Sequence, residues 1–307
     1  MKNYINILLA LVICTGINAC SKKEEALTPS NIDVTYHLPQ GNNAFDQTIK
    51  GYFDNYGTFV LYKFNDRDAY WTPTSFKKPA VGINGFWSTG VDVVPSNTDY
   101  VALQLDLLDK SLFSLYPSSF LKQFLPIKLL LCSKVDSVST TIAASKTVKK
   151  IPAYYSYDNI TVNYGDASIS QMTAAEKLTF LARINQVFFQ NINERALIKP
   201  IPEFVNSADY TTSNGTAAAA YAKGIVASYT SANVNNDWNA YIMAMVTLSE
   251  ADLNRLVSNT INSPSGVLNP AKDVNGLIRK RYNIVRNYFI NTYQVDLQKI
   301  GNKAKGF

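Results

Sequence analysis

The stretch MTAAEKLTFLARINQVFFQNI, residues 172–192, constrains the fold of this chain more than any other. Thr173 and Glu176 have the spacing of a capping box, in which the threonine hydroxyl accepts from a backbone N–H and the glutamate reaches back to the cap. Apolar side chains then recur at spacings of three and four, which places them on one broad helix face. They are Phe180, Leu181, Ile184, Val187, Phe188 and Ile192. The pattern predicts a long amphipathic helix that buries one face.

The chain changes character near residue 170, from mixed to mainly helical. Before that point, LPIKLLLCSKV at 125–135 predicts a buried strand, and ITVNYG, after Asn159, predicts a shorter strand at a sheet edge. The region 66–96 is rich in Gly, Pro, Trp and Asn and predicts loops with short strands. Helices are predicted over 46–56, 99–110, 118–124, 217–229, from 249 onward, and over 276–293. This order predicts an α+β fold, with a mixed lobe that contains a small sheet at about 35–170 and a mainly helical lobe at about 171–307.

The first nineteen residues predict a secretory signal peptide rather than a part of the fold. Lys2 places a positive charge near the start, residues 5–14 are mostly apolar, and small residues follow. The apolar stretch is too short to span a membrane. The segment INAC, residues 17–20, resembles the bacterial lipobox and predicts that Cys20 is lipidated. An ordinary secretory cleavage beside a chance cysteine is the alternative.

A polar segment at 20–34 predicts a lipidated, flexible tether to one two-lobed globular domain, residues 35–307. The tether begins with SKKEE at 21–25, which resembles the export signal of Bacteroidetes lipoproteins, a lysine followed by acidic residues after the lipidated cysteine. That resemblance implies a lipid-anchored protein of the outer membrane whose globular domain faces the medium. A solvated charged linker is the alternative for this segment.

The composition argues against nucleic acid as a partner and against a disulfide bond. The net charge is +6, only 17% of the residues are charged, and no basic stripe suited to a nucleic-acid backbone is present. Nucleic acid is therefore not an expected partner. Cys14 leaves with the signal peptide and Cys20 takes lipid, so Cys132, in the apolar run IKLLLCSKV, is expected to be a lone buried thiol without a disulfide.

No complete catalytic motif is present in the sequence. A catalytic triad needs an imidazole or another base near the nucleophile, and the only histidine, His37, lies close to the predicted tether, where an exposed or turn residue is expected. Catalytic zinc needs three protein ligands, which His37, Cys132 and scattered carboxylates do not provide in a recognisable spacing. Paired carboxylates of the glycosidase type cannot be chosen among 23 acidic residues, so an active hydrolase with unidentified carboxylates stays an alternative.

Several short segments carry a resemblance to a known family. They are NAFD at 43–46, YTSANVNNDW at 229–238, IVRNYF at 284–289 and VDL at 295–297. In their order and spacing, the chain resembles the zinc-binding metallopeptidase lipoproteins of Bacteroidetes over much of its mature length, best in the C-terminal half. The resemblance implies a zincin-like variety of the α+β fold.

The active helix of that family carries HExxH, in which two histidines bind zinc and the glutamate is the general base. In the matching window, NQVFF, Asn185 and Phe189 stand at the ligand positions and Gln186 at the position of the base. Asn235 stands where the family has a third histidine. Amides bind zinc poorly, a phenyl ring does not bind it, and glutamine accepts no proton at neutral pH. The resemblance therefore implies a helix kept for its fold, with no metal, no cofactor and no peptidase activity.

The same resemblance implies a vestigial cleft formed by Asn185, Gln186, Phe189 and Asn235. Asn185 is expected at the edge of the core, pointing into a groove, with its side chain within about 12 Å of that of Asn235, a separation that one ion or water cluster can bridge. Amides in such a groove can donate and accept hydrogen bonds with a peptide or a sugar. The alternative is a core helix whose amides lie at its solvent edge.

The expected function is that of a surface-exposed outer-membrane lipoprotein that binds or assists without catalysis in the uptake of a nutrient. The family resemblance suggests importers of the SusC/SusD type as partners and a glycan or peptide as ligand. A surface glycan-binding protein that uses a row of Trp71, Trp87 and nearby tyrosines is a further alternative. Ser137, in the segment DSV, resembles the acceptor for protein O-glycosylation in Bacteroidetes.

Overall fold

A computed structural model describes residues 36–140 and 145–306 of the chain. The predicted signal peptide and the predicted tether, including Cys20, lie outside the described residues. Contacts group the described residues from His37 onward into one compact unit. Within the described ranges, no helix is both long enough and apolar enough to cross a membrane.

The described helices are α1 (Asp46–Tyr56), α2 (Asp66–Tyr70), α3 (Val101–Ser111), α4 (Ser118–Phe124), α5 (Ala174–Glu194), α6 (Pro202–Val205), α7 (Ala217–Ala222), α8 (Val234–Thr247), α9 (Glu250–Asn254), α10 (Leu277–Tyr293) and α11 (Leu297–Ala304). The strands are β1 (Phe59–Leu61), β2 (Trp71–Thr72), β3 (Ser75–Phe76), β4 (Gly90–Pro95), β5 (Lys128–Ser139), β6 (Thr147–Lys150), β7 (Ala153–Tyr155) and β8 (Asn159–Val162). In these ranges all strands precede residue 163, and long helices follow. The predicted α+β class, mixed in its first part and mainly helical in its second, is confirmed.

Strand β5 is the centre of a mixed six-stranded sheet. Its first half runs parallel to β1 and to β8, and β7 pairs with the outside of β8 in the antiparallel direction. Its second half pairs with β4 and β6, both antiparallel. The prediction of an edge strand after Asn159 is wrong, because all four residues of β8 are buried and β7 takes the outer position. The sequence of β8 alone does not show whether β7 will pair with the edge that β5 leaves open.

The two faces of this sheet are covered differently. On one face, alternate residues such as Leu129 and Ile160 join the main hydrophobic core beneath the helices. On the other face, Lys128 Nζ and Asn159 Nδ2 both donate to the carbonyl of Asp68, at 3.0 and 3.1 Å. The short helix α2, which the sequence analysis missed within its predicted loop region, therefore covers the face opposite to the helical core.

Helix α5 carries the predicted capping box and the predicted buried face. Thr173 Oγ1 accepts from the N–H of Glu176 at 3.2 Å, and the Glu176 carboxylate accepts from the N–H of Thr173 at 2.8 Å. The apolar residues predicted to face inward are all buried. The helix packs against β7 and β8 of the sheet and against α3, α8 and α11. The prediction for this helix is confirmed.

Helix α7 is much shorter than the predicted helix at 217–229, because the chain turns sharply at Gly224. Gly224 has a φ of 77°, a left-handed conformation that favours glycine. A Cβ at this position would lie 2.9 Å from Arg281 Cδ and 3.0 Å from Leu277 Cβ, both on α10. The turn is needed because α10 lies close to the backbone of Gly224. This is a tertiary contact, so the periodicity of apolar residues in the sequence does not predict it.

A fully buried ion pair ties this turn to α8 and α10. Arg281 Nη2 lies 2.8 Å from Asp237 Oδ2, and both side chains are inaccessible to solvent. Asp237 Oδ1 accepts from the N–H groups of Val226 and Ala227 at 2.7 and 2.8 Å. The guanidinium also stacks over the ring of Phe204, 3.7 Å from its centroid. Neither charge is left uncompensated in the core, which is the condition under which a buried ion pair is tolerated.

Candidate functional site

Asn185 lies inside the core rather than at the edge of a groove. The residue is 0% exposed. Its Nδ2 donates to the carbonyls of Ser111 and Leu181 at 2.9 and 2.8 Å, and its Oδ1 accepts from the hydroxyl of Tyr116 at 2.6 Å. The prediction that Asn185 points into an open groove is therefore wrong. The amide joins α5 to the end of α3 through hydrogen bonds that no solvent reaches.

Phe189, at the second predicted ligand position, is also 0% exposed. Its ring centroid lies 6.1 Å from that of Phe289 on α10 and 6.2 Å from that of Tyr116. Residues four apart share one helix face, so the face that buries Asn185 also buries Phe189. An amide on a helix face does not by itself indicate contact with solvent, because two backbone carbonyls and a tyrosine hydroxyl satisfy that of Asn185.

Asn235 lies in the first turn of α8 and is exposed. The neighbouring asparagines build the helix start: Asn233 Oδ1 accepts from the N–H of Asn236 at 2.9 Å, and Asn236 Nδ2 donates to the carbonyl of Ser231 at 2.7 Å. Helices α5 and α8 do pack together. An exposed Asn235 and a fully buried Asn185 nevertheless do not line one open groove, so the predicted vestigial cleft is not present in that form.

The half-exposed face of α5 carries Ala182, Arg183 and Gln186, beside the edge strand β7. Arg183 Nε donates to the carbonyl of Ala153 on β7 at 3.0 Å, and its Nη1 donates to Gln186 Oε1 at 2.9 Å. Burial lowers the pKa of the Arg183 guanidinium. Ala182 and Gln186 have the four-residue spacing of a zinc-ligand pair, but a methyl group and an amide hold these places.

The residues present do not fit a zinc ion. Helix α5 contains no histidine in any register, and its acidic residues, Glu176 and Glu194, lie at its two ends. Among residues 36–140 and 145–306, no group of three or more His, Cys, Asp and Glu side chains could hold a metal. Catalytic zinc requires three protein ligands. The mismatch therefore does not depend on which window of α5 is aligned with HExxH.

Three other residues singled out in the sequence have clear positions. His37 is exposed, as expected. Cys132 is a buried free thiol, as predicted, and burial raises the pKa of that thiol, which keeps it protonated and unreactive. Ser137 is half-buried in β5, opposite Val91 and Lys149 on the flanking strands. Its glycosylation stays a prediction.

The two tryptophans proposed for glycan binding differ in their surroundings. Trp71 on β2 is 43% exposed and pairs across the hairpin with Phe76. Trp87 is half-buried, with Lys146 Nζ 4.6 Å from its ring centroid. Neither tryptophan lines the cavity that opens beside the hairpin.

This cavity has a volume of about 950 Å³ and lies on the sheet face opposite to α5. The β2–β3 hairpin, β4 and the β7–β8 hairpin surround it. Aromatic side chains that line it include Tyr70, Phe76, Tyr154 and Tyr157. No motif in the sequence predicts this site. The available signal was AYYSY at 153–157, three tyrosines within five residues.

The sequence at 86–298 matches the model of a protein family described as putative zinc-binding metallo-peptidase. Because the match spans more than half of the chain, this protein belongs to that family. A crystal structure of a putative zinc-binding metallo-peptidase from Bacteroides caccae aligns with 86% of this chain and 93% of that chain, at 13% identity and a TM-score of 0.46. No curated protein matches the chain significantly. The resemblance stated from the sequence is confirmed.

Proposed function

We propose that this chain is a non-catalytic member of its family and acts as a binding or accessory subunit at the cell surface. The observation that supports this most is the face of α5 beside β7. A zinc peptidase needs two imidazoles and a carboxylate on such a helix, and this one presents Ala182, Arg183 and Gln186. The Arg183 guanidinium is a permanent cation, which repels a divalent metal. Its side chain lies between the helix and β7, where Nε donates to the carbonyl of Ala153.

An active hydrolase with other carboxylates has less support. Glycosidases need two carboxylates about 5–10 Å apart, one as acid and one as base or nucleophile. Among the described residues that line the 950 Å³ cavity, Glu194 is the one acidic side chain, and it is exposed. One solvated carboxylate does not form an acid–base pair.

The proposed location is the outer leaflet of the outer membrane, through lipid on Cys20. The support is the segment INAC after an apolar stretch too short to span a membrane, followed by the SKKEE segment. Several acyl chains on one cysteine give stable anchoring, since each buried CH₂ contributes about 0.8 kcal/mol. The proposed partners are importer subunits of the SusC/SusD type, with a glycan or peptide as the ligand captured.

Metal analysis of the purified protein tests the non-catalytic assignment. After incubation with equimolar zinc and dialysis, we expect well under one zinc per chain, because the chain lacks three ligands in one place. We also expect no chelator-sensitive cleavage of casein, with thermolysin in the same assay as the positive control. Stoichiometric zinc, or casein cleavage that a chelator abolishes, would show that the assignment is wrong.

Copurification tests the proposed partnership. Tagged wild-type protein, extracted from outer membranes in detergent, is expected to bring importer subunits with it. A tagged Cys20→Ala protein, expressed at the same level, is the control for contacts that form only after lysis. Recovery of the same set of proteins with both baits, or of none with wild type, contradicts partnership at the membrane.

A further inference from the structure

The cavity on the sheet face opposite to α5 is separate from the helix face that defines the family. Tyr154 pairs with Thr161 across β7 and β8, and both side chains point away from the helical core, since their neighbours Ala153 and Val162 join that core. The volume of about 950 Å³ is within the range of small-molecule and oligosaccharide clefts. Any ligand here is held mainly by the sheet and its hairpins, and α5 contributes only its last residue, Glu194, to the lining.

The buried floor of the cavity is polar and uncharged. Thr72, Asn159 and Thr161 line it and are 5%, 0% and 3% exposed. Asn159 Nδ2 donates to the carbonyl of Asp68 at 3.1 Å, whereas Asn159 Oδ1 is buried without a partner among the described residues. Buried polar atoms in folded proteins almost always have a partner, so an unpaired acceptor in the floor of a cavity is unusual.

Tyrosine hydroxyls around this floor are also free to bond. The hydroxyl of Tyr70 accepts from the N–H of Val93 at 2.9 Å, and its own proton has no acceptor in the described part of the chain. The hydroxyls of Tyr154 and Tyr157 make no hydrogen bond to any described residue. The site thus offers neutral donors and acceptors that the protein itself does not use.

The walls are aromatic and the charges lie only at the rim. Phe76 and Tyr157 line the cavity and are 54% and 53% exposed, which is high for large rings unless a partner covers them. The charged lining residues are Lys78, whose Nζ is paired with Asp66 at 2.6 Å, and Lys77 and Glu194, which are both exposed. A phosphate or carboxylate ligand would meet no buried cation in the floor, so the site favours an uncharged ligand.

From these features we infer that the cavity binds a neutral oligosaccharide. A pyranose ring has an apolar C–H face, which packs on an aromatic ring, and a rim of hydroxyls, which donate and accept hydrogen bonds at once. Phe76, Tyr154 and Tyr157 provide the rings, and Tyr70 with Asn159 provides an unused donor and an unused acceptor. The inference rests on the proposed binding function and names the class of ligand for it.

Calorimetry on the full lipidated chain, in a detergent without sugar groups, tests this inference. The probes are maltohexaose, cellohexaose, xylohexaose and mannohexaose. At least one is expected to bind, and Tyr154→Ala is expected to weaken that binding at least tenfold. Tyr154→Phe keeps the ring, so it should weaken binding less than Tyr154→Ala does. Tyr157→Ala, at an exposed position where folding is not at risk, should also weaken binding.

The matched control is Trp71→Ala, which removes an aromatic side chain that is 43% exposed, against 53% for Tyr157, and that does not line the cavity. Its affinity should stay within twofold of wild type. Binding of none of the four sugars, or equal affinity for wild type and folded Tyr154→Ala, overturns the inference. Binding of a casein digest, with binding of none of the four sugars, would assign the site to peptides instead. If importer subunits still copurify in that case, only the ligand class is wrong and the proposed function stands.

Discussion

Asn185 occupies a core position where an apolar side chain would give the simpler packing. It is retained beside a tyrosine hydroxyl and the last carbonyl of α3, that of Ser111, one of the groups that a helix end leaves without an intrahelical partner. The amide therefore supplies a hydrogen-bond donor to a carbonyl at the end of α3.

Replacing Asn185 by alanine should destabilise the protein by about 2–4 kcal/mol, because it leaves the Ser111 carbonyl and the Tyr116 hydroxyl buried without their partner and opens a small cavity. Urea denaturation followed by circular dichroism measures the change. Asn235→Ala, at the exposed position that the sequence analysis grouped with Asn185, should stay within about 0.5 kcal/mol of wild type. Equal effects of the two substitutions would contradict the buried position of Asn185.

At the scale of elements, the shortened helix α7 shows how one close contact overrides local propensity. The segment after Ala222 has no strong helix breaker except Gly224 and was predicted to stay helical to residue 229. Helix α10 comes close to Gly224, and the Asp237 carboxylate accepts hydrogen bonds from the N–H groups of Val226 and Ala227. Both contacts require a turn instead. The turn and the buried ion pair with Arg281 form one unit, which connects three helices.

Gly224→Ala should lower the free energy of unfolding by about 1–3 kcal/mol, since φ is 77° and a Cβ would collide with Leu277 and Arg281. Gly215→Ala is the matched control, because a Cβ there meets nothing within 4 Å. Thermal melting of both variants, with wild type, makes the comparison. A melting temperature for Gly224→Ala equal to that of the control would mean that the turn is not constrained as described.

At the scale of the whole molecule, several buried tyrosines share one electrostatic property. Burial raises the pKa of the Tyr52, Tyr70 and Tyr282 hydroxyls to about 12, from an ordinary value of 10. Burial also raises the pKa of Tyr116 and Tyr241 well above that value. These groups lie in both the mixed and the helical parts of the fold, so their titration reports on the unit as a whole.

The protein should lose stability steeply between about pH 10 and pH 12. In that window the unfolded chain has released the tyrosine protons while the folded chain still binds them, so the unfolded state binds fewer protons and the free energy of unfolding falls as pH rises. Urea midpoints at pH 8, 9, 10 and 11 test this, with tyrosinate absorbance at 295 nm as the second signal. A midpoint that stays level from pH 9 to pH 11 would falsify it.

Localisation also belongs to the scale of the whole molecule. Cys20→Ala should move the protein out of the outer-membrane fraction, because the acyl chains are the proposed anchor and each buried CH₂ contributes about 0.8 kcal/mol. Membrane fractionation with immunodetection makes the measurement, and metabolic labelling with a fatty-acid analogue identifies the lipid. If the wild type and the variant are found in the same membrane fraction, lipidation of Cys20 is not the anchor.

Family and fold class could be predicted from the sequence because they depend on features that are local in the chain. The capping box at Thr173 and the apolar periodicity of α5 act within one helix, and ordered short segments carry the family relation. The absence of HExxH is likewise a matter of residue identity, since a chain with one histidine, at position 37, cannot form that motif. These conclusions need no knowledge of which residues meet in space.

The rotation of each helix within the core and the face of each strand were decided only by tertiary structure. Whether Asn185 meets solvent or the Ser111 carbonyl depends on where α3 ends, and whether β8 is an edge depends on β7. The cavity depends on Tyr70 and Tyr154, far apart in sequence, meeting over one sheet face. Burial and long-range hydrogen bonding are properties of pairs of distant segments, so the residues of one segment determine its preference for helix or strand but not what will cover it.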